Sequence, residues 1–309
     1  MPKTAAMKIA THNPLEGFEA ILKYGEPLAK HTWYKLGGPA QYFATPQTRT
    51  ELAALIKRCS EEGLKFYILG KGANVLVRDE GIEGVVIHLA GPEWEAVRYE
   101  GDLVHCGAGA DMARLTLNTS RDGLAGFEVM AGIPGTIGGG IRMNAGGKYG
   151  DIGALVTSVD VMDAHGNITT RNKDDLIFSY RACNITAPII LGATLQLEAA
   201  DATETTRRMK EIWMYKRNSQ PLNADSAGCV FKNPDKELSA GRSAGVLIDQ
   251  AGLKGLSVGG ATVSEIHANF FVSKPGCTAS DVMELIRIVR QRVAERFGVD
   301  LQTEVKLWP

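Results

Sequence analysis

The sequence predicts a two-domain protein of the α/β or α+β class, divided near residue 200. Three observations carry that reading. Strand, helix, strand and glycine-loop signals follow one another from Tyr42 to Asn74. Short strands then dominate as far as Glu198. After residue 200 the composition turns to charged and amphipathic helices around polar, glycine-containing segments. The chain has 309 residues, 44% of them hydrophobic and 22% charged, enough for two cores in solution.

Each element has a local cause. A polar lead over residues 1–24 is expected to be loosely ordered. Residues 42–44 read as a short strand after the Gly37-Gly38 turn. Thr48 and Glu51 have capping-box spacing ahead of a helix whose apolar face is Leu52, Leu55, Ile56 and Cys59. Residues 66–69 form a compact strand that runs into Gly70-Lys71-Gly72-Ala73-Asn74. Strands follow at 75–77, 85–89, 96–99 and 103–106, the last two joined as a hairpin by Glu100-Gly101-Asp102. A helix is expected over 111–120, a second hairpin over 159–163 and 168–171, and a strand over 188–198. Beyond them come a charged surface helix over 203–217 and an amphipathic helix over 281–297, with Val282, Leu285, Ile286, Val289, Val293 and Phe297 at helical spacing. A last strand is expected over 300–307, carrying Glu304 and returning to the first domain. The first domain, 25–200, divides into subdomains of about 25–90 and 91–200, and 201–309 forms the second domain.

Bulk properties exclude several functions. A formal net charge of −1 gives no broad basic field for nucleic acid or an anionic membrane. The apolar runs are too short and too often interrupted to cross a membrane, and no secretory signal opens the chain. Cysteines 59, 106, 183, 229 and 277 are widely spaced and form no CxxC pair, which suits a reducing cytoplasm and no metal site.

The densest glycine run is AGIPGTIGGGIRMNAGGKYG, residues 131–150. So many glycines give up chain entropy and side-chain packing. Either a set of tight turns or a cradle of main-chain N–H groups for a phosphate-bearing ligand accounts for them. The loop at 70–74 sits at the carboxyl end of a strand, where ligands commonly bind. Neither is a standard nucleotide motif. The Rossmann spacing places Val75 where glycine belongs, and Lys71 is followed by Gly72 rather than Ser or Thr.

Three further places hold chemistry. Tyr180-Arg181 is either a solvated strand end or a clamp in which Arg181 grips a carboxylate in two prongs. Cys229, preceded by Ser226-Ala227-Gly228, is a small buried hydrophobe, a proton donor or a nucleophile. Glu304 faces solvent or, by strand alternation, the interior.

Taken in order, GKGANVLV at 70–77, the 131–151 run, FSYRAC at 178–183, SAGCVFKNP at 226–234, AGLKG at 251–255, HANFFV at 267–272 and EVKLW at 304–308 resemble the UDP-N-acetylenolpyruvoylglucosamine reductase family. The resemblance covers about residues 25–309 and fits the shorter family type, which lacks an inserted substrate-covering segment. It implies an α+β, vanillyl-alcohol-oxidase-type FAD-binding fold in two subdomains, plus a C-terminal α+β substrate domain. It implies FAD held without a covalent bond, since the 70–77 loop has no His or Cys, with NADPH as hydride donor. The implied cofactor contacts are Gly70, Lys71, Gly72, Ala73, Asn74, Gly132, Ile133, Pro134, Gly135, Thr136, Gly138, Gly139 and Asn144. Reduction of UDP-N-acetylglucosamine enolpyruvate to UDP-N-acetylmuramate, for peptidoglycan, would use Arg181 and Glu304 on the enolate. Cys229 stands where the family usually has a serine proton donor. Tyr180, Asn233 and His267 are the implied substrate contacts. The rival readings are another FAD oxidoreductase of this fold and a nucleotide-sugar binding protein without turnover.

Overall fold

The computed structural model describes residues 13–309. Residues 1–12 of the expected loose lead therefore lie outside the described residues. The part that is described does not hang loose: Leu15 is fully buried in the first core, and Arg58 bonds the carbonyls of Pro14 and Glu16 at 3.2 Å.

The first sheet runs Leu22–Pro27, Pro39–Ala44, Ile82–His88, Phe66–Leu69, the outer pair antiparallel and the other pairings parallel. Helix α1 (Arg49–Glu61) connects the second strand in sequence to Phe66–Leu69, and Leu52, Leu55, Ile56 and Cys59 are its buried face. Thr48 caps it through the Glu51 N–H at 3.1 Å. The Glu51 carboxylate, however, accepts from the Gln47 N–H at 2.7 Å, one residue short of the reciprocal box.

After the short helix α2 (Pro92–Glu95) comes an antiparallel five-stranded sheet. Its order is Ile168–Asn172, Val156–Met162, Ile189–Gln196, Leu103–Gly107, Val97–Glu100. Gly101, at φ 62°, makes the left-handed turn of its last hairpin. Helix α3 (Met112–Arg121) is capped by Asp111. One core joins both sheets, with Leu52, Val85, Val104, Val159 and Leu191 among its members.

The densest glycine run contains an element that turn signals hid. Residues Ile137–Arg142 form helix α4, capped by the Thr136 hydroxyl. Three successive glycines are poor helix formers, but added Cβ atoms would meet Ala108 Cβ at 2.9 Å from Gly138 and Met112 Sδ at 2.6 Å from Gly140. Close neighbours account for the first and third of these glycines, whereas a Cβ on Gly139 would meet only Thr136 Oγ1, at 3.6 Å.

Helix α5 (Ala202–Ser219) leads to the C-terminal part, where α6 (Lys236–Ser239) and α7 (Ala244–Gln250) precede a meander of Ser257–Val258, Ala261–Val263 and Phe271–Ser273. Helix α8 (Ala279–Phe297) buries Val282, Leu285, Ile286, Val289 and Val293, starting from a Thr278/Asp281 capping box and ending at Gly298. This second core also takes in Tyr34, Leu36 and Leu76 from the N-terminal half. Asp79 links the same halves, accepting from the Ala279 and Ser280 N–H groups at 2.8 and 2.9 Å.

The terminal strand is shorter than expected. Only Lys306–Trp308 is a strand, parallel to Val75–Val77. The preceding residues make single contacts with the 230–232 segment, through the Phe231–Thr303 bridge and Glu304 N–H to the Val230 carbonyl at 2.7 Å. Glu304 is thus placed by a crossing segment and not by strand alternation.

Candidate active site

Two glycine-bearing loops face each other at the first site. Gly70 follows the Phe66–Leu69 strand, and a Cβ there would lie 2.6 Å from Thr136 Oγ1, so the loops touch. Between them and Ala108, Gly138, Arg142 and Ile190 lies a cleft of about 110 Å³. The main-chain N–H groups of Lys71, Gly72, Ala73 and Asn74 have no hydrogen-bond partner among the described residues. The same holds for Gly132, Gly135 and Thr136. Gly72 is buried, and a Cβ on it would strike the His31 carbonyl at 2.1 Å. Unpaired amides in so confined a place suit an anionic pyrophosphate.

Not every expected contact offers its polar atoms. The Gly138 N–H is taken by the Ala108 carbonyl at 2.8 Å and that of Gly139 by Thr136 Oγ1, so these two line the cleft as bare backbone. Asn144 is 4% exposed, and its amide is engaged at both ends, donating to Ser179 O at 3.0 Å and accepting from Gly153 N at 2.9 Å. It holds the protein to itself, and its side chain is not free for a cofactor. The Lys71 ammonium pairs with Asp111, the cap of α3, tying the first loop to the start of that helix. Enlarging Gly70 to alanine is expected to wedge the loops apart. FAD affinity should fall about 5- to 150-fold, from an overpacking cost of about 1–3 kcal/mol. Titration of apoprotein with FAD checks this, and unchanged affinity would refute it.

The second cluster gathers residues far apart in sequence. Tyr180 and Arg181 form the turn between Phe178–Ser179 and Ala182–Cys183, with Arg181 left-handed at φ 56°. Its Nε meets Glu304 Oε1 at 2.5 Å, and its Nη2 donates to the Gly146 carbonyl at 2.9 Å. The pair is largely shielded, at 18% and 13% side-chain exposure. Burial raises the Glu304 carboxyl above its ordinary range, against the lowering effect of Arg181.

Cys229 lies between the crossing segment and Asn269. Its neighbour Val230 donates to the Asn269 carbonyl at 2.8 Å, and the Asn269 amide clamps both main-chain groups of Phe231. Burial pushes the Cys229 thiol up to about 12, with the Glu304 charge adding to it and Arg181 and Asn269 opposing. A thiol so held is a proton donor at neutral pH and a poor nucleophile. Tyr180 joins the cluster through its hydroxyl, which accepts from the Asn233 N–H at 3.1 Å. Asn233 spends its own Oδ1 on the Ala244 N–H at the start of α7. His267 packs on Phe270 at 4.9 Å between centroids, its Nδ1 accepting from Asn269 N–H, and makes no hydrogen bond with Arg181, Glu304 or Cys229.

Lys216 was not legible as a site residue. It belongs to α5, read from sequence as a surface helix, yet is 7% exposed and donates to the Ala131 carbonyl at 2.7 Å. Burial pushes its ammonium down to about 8, and the Arg181 charge adds to this. Its signal was spacing: Thr205, Ile212 and Lys216 share the buried stripe.

Residues 40–171 match the FAD binding domain model, and the chain is an FAD-dependent oxidoreductase of α+β fold. Residues 220–308 match the C-terminal domain of UDP-N-acetylenolpyruvoylglucosamine reductase. The chain belongs to that family. The reductase of Heliobacterium modesticaldum is 42% identical over 284 residues, 91% of this chain and 89% of that protein. That of Desulfosudis oleivorans is 41% identical over 94% of this chain and 95% of its own length. The crystal structure of the Thermus caldophilus enzyme superposes with a TM-score of 0.78 at 38% identity, covering 91% of this chain and 97% of that one. No helix among the described residues is long and apolar enough to cross a membrane.

Proposed function

We propose that the protein reduces UDP-N-acetylglucosamine enolpyruvate to UDP-N-acetylmuramate with NADPH, supplying the cytoplasmic stage of peptidoglycan synthesis. The observation that carries this is the shielded Arg181–Glu304 pair, brought beside Cys229 by the Glu304 N–H on the carbonyl of the adjacent Val230 at 2.7 Å. FAD bound between the two glycine-bearing loops would supply two-electron hydride-transfer chemistry between NADPH and C3 of the enol ether. The free amides of 71–74 and of Gly132, Gly135 and Thr136 hold its pyrophosphate. Arg181 grips the substrate carboxylate, so that charge building at C2 spreads into oxygens facing a guanidinium. Glu304 keeps that guanidinium oriented. The Cys229 S–H delivers the proton to C2, and its sulfur regains one from water. Hydride and proton together saturate the double bond, NADPH being the reductant. Tyr180 and the main chain of Asn233 border the substrate.

The test is anaerobic. NADPH is expected to bleach the flavin, and enolpyruvyl substrate to restore its colour with one turnover of product. A flavin that bleaches and stays bleached would remove the substrate assignment; a protein that binds no flavin would remove the whole reading.

A further inference from the structure

We propose that Asn144 is a positioning residue for Arg181, fixing the turn that carries the guanidinium. Four observations converge on it. Its Nδ2 donates to the Ser179 carbonyl at 3.0 Å, one residue before the Tyr180-Arg181 turn. Its Oδ1 accepts from the Gly153 N–H at 2.9 Å, and a Cβ on Gly153 would lie 2.7 Å from that oxygen, so the carboxamide is locked between two main-chain groups. Asn144 itself is left-handed, at φ 41°, a conformation asparagine tolerates better than most side chains. In that conformation its own carbonyl faces Arg181 Nη1 at 3.5 Å, while the Gly146 carbonyl two residues on takes Nη2 at 2.9 Å.

The consequence is geometric. Arg181 is also left-handed, at φ 56°, so its turn is costly on its own and depends on its supports. Glu304 holds the guanidinium from the C-terminal tail, and Asn144 holds the turn from the glycine-rich segment. A misplacement of about 1 Å in such a group is worth up to about 100-fold in rate.

This inference rests on the reductase reading. Asn144→Gly keeps the left-handed backbone and removes only the carboxamide. In that variant flavin reoxidation by the enolpyruvyl substrate is expected to slow at least about tenfold. FAD retention and the rate of flavin reduction by NADPH are expected to stay unchanged. Unaltered reoxidation overturns the proposal, and so does equal loss of flavin or of both half-reactions, which would mark a general structural role. Should Asn144→Gly not fold, Asn144→Asp serves under the same criteria, keeping the acceptor for Gly153 and losing the donor to Ser179. A readout without substrate separates this inference from the reductase reading. The melting-temperature losses of Asn144→Gly and Arg181→Lys are expected to be non-additive, and additive losses overturn the coupling whatever the substrate proves to be.

Discussion

Cys229→Ala is expected to leave flavin reduction by NADPH intact and to slow flavin reoxidation by the enolpyruvyl substrate about 10²- to 10⁴-fold, the range a lost general acid costs. Cys229→Ser should recover part of that loss, since a hydroxyl also carries a transferable proton. The physical basis is a thiol held at about 12 by burial and by Glu304, against an ordinary value of 9.0. Raised in the fold, this group contributes stability that is complete below about 9 and lost as pH climbs from there toward about 12. Between pH 7 and 9 the donor stays protonated, so no fall in the second half-reaction over that window is expected from Cys229. Thiolate-directed alkylation of this cysteine should be correspondingly slow. Stopped-flow measurement of each half-reaction decides the matter. Equal losses in both halves would make the thiol structural, and no loss in the second would move the proton source elsewhere.

What the sequence made legible follows the reach of local rules. The helices over Arg49–Glu61 and Ala279–Phe297 stand close to where apolar spacing puts them, because one amphipathic face is a property of a single segment. Helix α4 was hidden because its three glycines oppose local propensity, and the crowding by Ala108 and Met112 that accounts for Gly138 and Gly140 is a tertiary fact. Glu304 was read on a strand that the fold interrupts, since the tail changes partners from Val230 to Val75. Lys216 went unremarked within the helix read as a charged surface helix, since nothing near it in sequence announces the Ala131 carbonyl it meets. Arg181, Cys229 and Glu304 were singled out individually, each with a plausible bland alternative. Their meeting is a tertiary fact, carried by the Tyr180-Arg181 turn, the Asn269 clamp and the crossing tail.

Arg181→Lys is expected to slow the second half-reaction at least about 100-fold, although the charge is conserved. The guanidinium spreads its donors over Glu304, Gly146 and Asn144, which a single ammonium on a flexible stem cannot reproduce. It would also lose the planar face that lies 5.2 Å from the Tyr180 ring centroid. Arg181→Met goes further and leaves Glu304 shielded without its cation. Burial already raises this carboxyl, and removing Arg181 removes an opposing influence, so its range moves higher still. A carboxyl raised in the fold gives stability that is present at low pH and lost as pH rises through its folded value. The Arg181→Met protein should therefore lose more melting temperature than the wild type when pH is raised from the acid side toward neutrality. Adding Glu304→Gln should abolish that excess slope, because the uncharged amide has nothing to titrate. A melting curve of Arg181→Met that tracks the wild type across pH would mean that Glu304 does not depend on Arg181, and the clamp would lose its second half.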